Sequence, residues 1–156
     1  MILFPSSFFS VNKVDEDLQA EYDAVVSTGL FDVTLFGYDK WFNDDRLVVT
    51  DAPEVMRTAV YRGWMMKPDQ YERFYDGLLE KNIKLITEPS AYKLMHVFPN
   101  VYEYVREDTA RMQLYPLHVK IDVEELKANF VRFMVKDHVK SVKGTEFPRY
   151  FDKSVS

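Results

Sequence analysis

The chain has 156 residues with 20 basic and 25 acidic side chains, a formal net charge of −5. Bulk attraction to nucleic acid or to an anionic membrane is therefore not expected, and an anion site has to be a local cluster of cations. Hydrophobic residues make up 47% and aromatics 15%, which excludes global disorder and, at this length, lets folding bury about 70% of the unfolded surface in one domain or two small lobes.

Cysteine is absent; this removes disulfides, thiol nucleophiles and thiolate metal sites, fits a cytoplasmic setting, and leaves His96, His118 and His138 as candidate ligands. The start, Met1-Ile2-Leu3-Phe4-Pro5, lacks a basic n-region and is broken by proline. It reads as a buried first strand and not as a signal peptide. Nowhere do eighteen apolar residues run together, so no transmembrane helix is expected.

From Asp15 to Ser27, Leu18, Tyr22, Val25 and Val26 follow spacings of three and four, and Thr28-Gly29 supplies a stop, which predicts a helix. Phe31 to Phe36 is β-branched and aromatic and predicts a strand, so a βαβ arrangement with parallel strands begins here. Arg46 to Thr50 reads as a further short strand, Asp51-Ala52-Pro53 as a loop, and Arg57 to Trp64 as a strand ending at Gly63. Asp69 is a candidate N-cap for a helix over 70–81, with Tyr71, Phe74, Tyr75, Leu78 and Leu79 as its apolar stripe. Ile83 to Ile86 reads as a strand that Pro89 ends.

Val101, Tyr104, Val105 and Met112 predict a helix over 101–113 with a thin apolar face. Asp122 and Glu125 resemble a capping box in front of Leu126 and Phe130. No repeat, low-complexity tract or flexible linker occurs, and a lobe boundary is expected near Tyr115-Pro116.

The segment Phe133 to Gly144 carries the most chemistry. As one extended strand it would put Lys136, His138 and Lys140 on one face and Val135 and Val139 on the other. Such a stripe of cations is relieved by an anion lying across it, with nucleotide phosphate the foremost candidate; alternatively, these lysines protect an edge strand and point into water. His138 reads as a surface or hydrogen-bonded residue, since zinc needs three or four ligands that do not cluster here. Arg62, in Val60-Tyr61-Arg62-Gly63-Trp64-Met65-Met66, is the second candidate. Its fork suits phosphate or carboxylate, or else it stacks on Tyr61 or Trp64, and Gly63 permits a tight turn or close approach. GxGxxG, Walker and GxSxG motifs are missing. Asp15-Glu16-Asp17 and Asp44-Asp45 lack calcium-loop spacing.

Val60-Tyr61-Arg62-Gly63-Trp64-Met65, the Tyr71 to Leu79 helix, Leu85-Ile86-Thr87 with Pro89 and Tyr92, and Lys136-Asp137-His138-Val139-Lys140-Ser141 together resemble the ATP-grasp clade of bacteria and their viruses named for one arginine and two lysines. The resemblance runs in order along most of the chain. It implies an α/β fold: a Rossmann-like pre-ATP-grasp region with parallel strands over 1–115, then the start of a small α+β ATP-grasp N-terminal lobe over 116–156. It implies that Lys136 and Lys140 meet nucleotide phosphates, that Lys143-Gly144 belongs to the loop over them, and that Arg62 faces phosphate or the acceptor. Such enzymes use ATP and Mg2+ to activate a small-molecule or peptide carboxylate as an acyl phosphate and join it to an amine.

Family members continue into a second lobe that holds Mg2+. The expectation for this chain is thus a truncated N-terminal portion of the ligase that binds nucleotide at most and has no catalytic or metal-ligating residue of its own. The alternative is a non-catalytic interaction or dimerisation module derived from the fold, whose apolar surface a second copy would cover. Single-strand binding to nucleic acid is a third reading, disfavoured because most aromatics fall on core periodicities.

Overall fold

The apolar start of the chain becomes the centre of a sheet. In the computed structural model, which describes residues 1–116, 118–135 and 149–152, the order is β1 (Ile2–Ser7), β2 (Ser10–Val14), a 3-10 turn (Glu16–Leu18), α1 (Gln19–Thr28), β3 (Val33–Phe36), α2 (Tyr38–Asp44), β4 (Arg57–Tyr61), α3 (Pro68–Leu79), β5 (Ile83–Leu85) and α4 (Pro89–His96). Strand β1 pairs in parallel with β3 along Ile2 to Pro5 and with β4 at Ile2 and Leu3, while β5 lies parallel to β4. The parallel strands therefore run β3-β1-β4-β5, and the order reverses between β1 and β4. The expectation of an α/β unit with a mostly parallel sheet holds.

The two-residue period of β1 divides the core. Leu3 faces a cluster with Phe36, Ala59, Trp41, Phe74 and Leu78, whereas Phe4 packs with Val14, Leu18 and Leu35 beneath Tyr22 and Val25 of α1. Helices α2 and α3 thus cover one face and α1 the other. Full burial of each large side chain here contributes about 1.5–3 kcal/mol.

Pro5 decides where β4 leaves. Val60 N–H donates to Met1 O (3.1 Å) and Arg62 N–H to Leu3 O (2.9 Å), but the next residue along that edge of β1 has no N–H to continue the ladder. Its carbonyl accepts from Asp15 N–H instead, at 3.0 Å. Strand β2 folds back antiparallel on the end of β1 through a tight turn at Phe8-Phe9, with a register shift between Ser6 and Ser7. This hairpin has no counterpart in the sequence reading.

Several expected boundaries move. Helix α1 ends at Gly29, whose φ of 61° is the left-handed conformation expected of a glycine stop. Arg46 to Thr50 forms no strand: Val49 makes only an isolated bridge to Phe36, and α2 fills the preceding stretch. The strand expected to reach Trp64 stops at Tyr61. Lys67, and not Asp69, is the N-cap of α3, because Pro68 suits the first helical position; Asp69 stands in the first turn, where its charge meets the positive end of the helix. Pro89 opens α4.

Two compact units divide the chain, Met1–Lys93 and Leu94–Ser156. The second contains α5 (Phe98–Val105), α6 (Val123–Asn129), β6 (Arg132–Val135) and β7 (Arg149–Asp152), the last two paired antiparallel. The expected boundary at Tyr115-Pro116 lies within this unit, between α5 and α6. Helix α5 is shorter than the predicted 101–113 and buries only Val101. Asp122 caps α6 as expected, its Oδ1 accepting from Glu124 N–H (3.0 Å) and Glu125 N–H (3.1 Å). Glu125 does not reciprocate; its carboxylate accepts from Gln113 Nε2 at 3.1 Å.

Candidate functional site

Arg62 follows the last residue of β4, beside β1, at the point where the strand order reverses. In open α/β sheets that position, outside the carboxyl ends of the strands, is where a crevice for ligands opens. The local backbone is fixed from both sides. Tyr61 packs edge-on against Phe36 and Phe74, with ring centroids 5.9 and 5.4 Å away, and its hydroxyl donates to Trp64 O at 2.6 Å. Its ring lies over Gly63, where an added Cβ would be 2.7 Å from the Tyr61 oxygen. Close approach, and not a positive φ, is what requires glycine here. Burial pushes the Tyr61 phenol far above its ordinary pKa, with the neighbouring tyrosines adding to the shift.

The Arg62 side chain is half-exposed, and its Nε donates to Glu21 Oε1 on α1. Arg57, at the other end of β4, pairs with Asp32 in the same way. Two arginines thus tie the ends of β4 to the segment around α1. Neither partner was visible in the sequence reading, because residues 41 and 25 positions apart share no local pattern. Exposed ion pairs of this kind contribute about 0–1 kcal/mol, so an anion of higher charge can compete for Arg62 at small cost.

The loop after Arg62 is clasped from α4. Tyr92 stacks on Tyr71 with centroids 3.7 Å apart and planes 2° from parallel. Its hydroxyl donates to Met66 O and accepts from Met66 N–H, both at 2.8 Å, and the Tyr71 hydroxyl donates to Thr87 O at 2.8 Å. Burial, and secondarily Tyr92 and Tyr75, pushes the Tyr71 phenol up to about 12. Burial also raises Tyr92, with its backbone bond to Met66 acting against the shift.

In the second unit, β6 carries the expected extended segment as far as Val135. Phe133 stacks on Phe151 across the pair, with centroids 5.5 Å apart. An open cavity of about 520 Å³ is lined by Arg132, Phe133, Met134, Tyr150, Phe151 and Asp152. Lys136, His138, Lys140 and Lys143 lie outside the described residues. Among the described residues no group of three or more His, Asp or Glu could hold a metal ion. Among the same residues no helix is long and apolar enough to cross a membrane.

A second, smaller cavity of about 170 Å³ lies at the carboxyl ends of β1 and β3, lined by residues 6–11 with Gly37, Asp39 and Lys40. The sequence reading missed it. The available signal was three serines, Ser6, Ser7 and Ser10, around Phe8-Phe9. Comparison of the chain with protein-family models, curated proteins and solved structures gives no match.

Proposed function

We propose that the chain is the N-terminal portion of an ATP-grasp ligase, with a Rossmann-like pre-ATP-grasp region leading into the first ATP-grasp lobe. Lys136, Lys140 and Lys143 then neutralise nucleotide phosphates, and Arg62 receives a phosphate or the carboxylate of an acceptor. The observation that carries this reading is the position of Arg62 at the carboxyl end of β4, where the parallel order β3-β1-β4-β5 reverses. The ordered motifs and the strand β6 leading directly to Lys136 support it further.

Bound ATP supplies the phosphoryl group that activates a small-molecule or peptide carboxylate for attack by an amine. The contribution of this chain is positioning and charge neutralisation, which dominate phosphoryl transfer. The test is ATP titration of the chain against the Lys136→Ala/Lys140→Ala double variant by calorimetry. Each lost charge-assisted bond is worth about 1.5–3 kcal/mol, so binding should weaken at least tenfold. Equal affinities would remove the phosphate role of the lysines.

A non-catalytic dimerisation module is the second reading. It is favoured by Trp64, Met65 and Ile86, which follow the ends of β4 and β5 and are 40%, 62% and 61% exposed. Sedimentation velocity discriminates: a strictly monomeric chain with ATP affinity argues against it.

A further inference from the structure

We propose that the cavity beside the β1–β2 hairpin is a binding site for a small zwitterion carrying one ammonium and one carboxylate, a free α-amino acid. The site lies wholly within Met1–Lys93 and stands whether or not the chain binds ATP. At about 170 Å³ it falls below the roughly 300–1,000 Å³ of pockets for larger ligands. It holds the volume share of about six waters, at about 30 Å³ each. A metabolite of amino-acid size fills that space.

The hydrogen-bonding state of the walls selects the charge pattern. Ser6 Oγ donates to Ser7 O (3.3 Å) and Ser7 Oγ to Ser10 O (3.2 Å), so both hydroxyls have committed their protons and present lone pairs. Ser10 Oγ accepts from Asn12 N–H at 3.3 Å, which leaves its O–H to donate. Two acceptors and one donor thus line one wall. On the other, Asp39 engages Asn43 through Oδ1, leaving Oδ2 for an ammonium. Lys40 keeps only a loose, solvent-exposed pairing to Asp44 at 3.8 Å, so its ammonium has N–H groups left for a carboxylate.

Adjacent opposite charges on α2 disfavour a simple anion, which meets Asp39, and a simple amine, which meets Lys40. A ligand bearing both charges satisfies both, with its ammonium toward Asp39, Ser6 and Ser7 and its carboxylate toward Lys40 and Ser10. Phe8 and Phe9, 69% and 93% exposed with rings 5.1 Å apart, stand at the rim where an amino-acid side chain would emerge.

The test uses the full 15N-labelled chain, titrated with each of the twenty free amino acids up to about 10 mM, a range that captures weak binding. At least one should shift the amide signals of Ser6, Ser7, Ser10 and Gly37. For the best binder, the N-acetyl and the carboxamide derivatives should each bind at least about tenfold more weakly, as should the best binder itself to Asp39→Asn and to Lys40→Met. Ser10→Ala, with a urea midpoint matching the unaltered chain, provides a third variant should either helix substitution disturb folding; it too should weaken binding. The proposal is overturned if no amino acid shifts those amides, if the N-acetyl form or inorganic phosphate binds as tightly, or if folded variants bind unchanged.

Discussion

Replacing Tyr92 by phenylalanine removes one oxygen and tests the clasp that holds the loop following Arg62. That oxygen serves both backbone groups of Met66, which is 1% exposed, through two bonds of 2.8 Å. A phenylalanine keeps the stack on Tyr71 and leaves a buried N–H and a buried C=O without their partner. Each such group costs about 1–3 kcal/mol, so about 2–6 kcal/mol should be lost, a large part of the roughly 5–15 kcal/mol of a typical domain. With a slope of about 2 kcal/mol per molar urea, the unfolding midpoint should fall by about 1–3 M at constant slope. Tyr92→Leu, which also gives up the stack, should lose about 0.5–1.5 kcal/mol more. The reasoning is refuted if Tyr92→Phe unfolds within about 0.5 kcal/mol of the unaltered chain, the range of neutral surface changes.

Gly63→Ala places a methyl group 2.7–2.9 Å from the Tyr61 ring and should destabilise by about 1–3 kcal/mol, read from the thermal midpoint; a neutral result would show that the ring moves freely. Glu21→Gln should change stability by less than about 1 kcal/mol, because the pair with Arg62 is exposed. If Arg62 meets a nucleotide phosphate, the same variant should bind ATP more tightly, and unchanged or weaker calorimetric affinity counts against that contact. Stability should also fall in alkali. Tyr71, at about 12, and the raised Tyr61 and Tyr92 keep protons in the folded chain that the unfolded chain releases near pH 10. Their contribution is complete below about pH 10 and is lost as pH climbs toward about 12. A urea midpoint that stays level from pH 8 to about 11.5 would contradict this.

Strong periodicity made α3, β1 and β3 legible: Tyr71, Phe74, Tyr75 and Leu78 are all buried on α3, and Leu3, Phe4, Leu35 and Phe36 alternate between two faces. Short elements escaped for identifiable reasons. The β1–β2 turn uses Phe8-Phe9, with neither glycine nor asparagine to announce it. Helix α2 has seven residues and buries only Trp41, too little to display a 3.6-residue period. Pro89 is compatible with a strand's end and with a helix's first turn, and only the tertiary contacts of Tyr92 favour the second. At the site, the sequence pointed to Arg62 and to a constraint at Gly63. It could not show that Glu21 holds the guanidinium, since that contact depends on the crossover bringing α1 beside β4.

The central place of β1 has a consequence for synthesis. The strand leaves the ribosome before all of its partners, and the first available to it is the adjacent β2; Val33 to Phe36 arrives next and completes one side. Its opposite edge waits for Val60 and Tyr61, nearly sixty residues later. Throughout that interval a nascent chain carries Ile2, Leu3 and Phe4 as a half-paired apolar template, open to a neighbouring nascent chain. Because Pro5 has no amide proton to offer, such a neighbour can be zipped along only the residues before it, and the strand sets its own limit on mispairing.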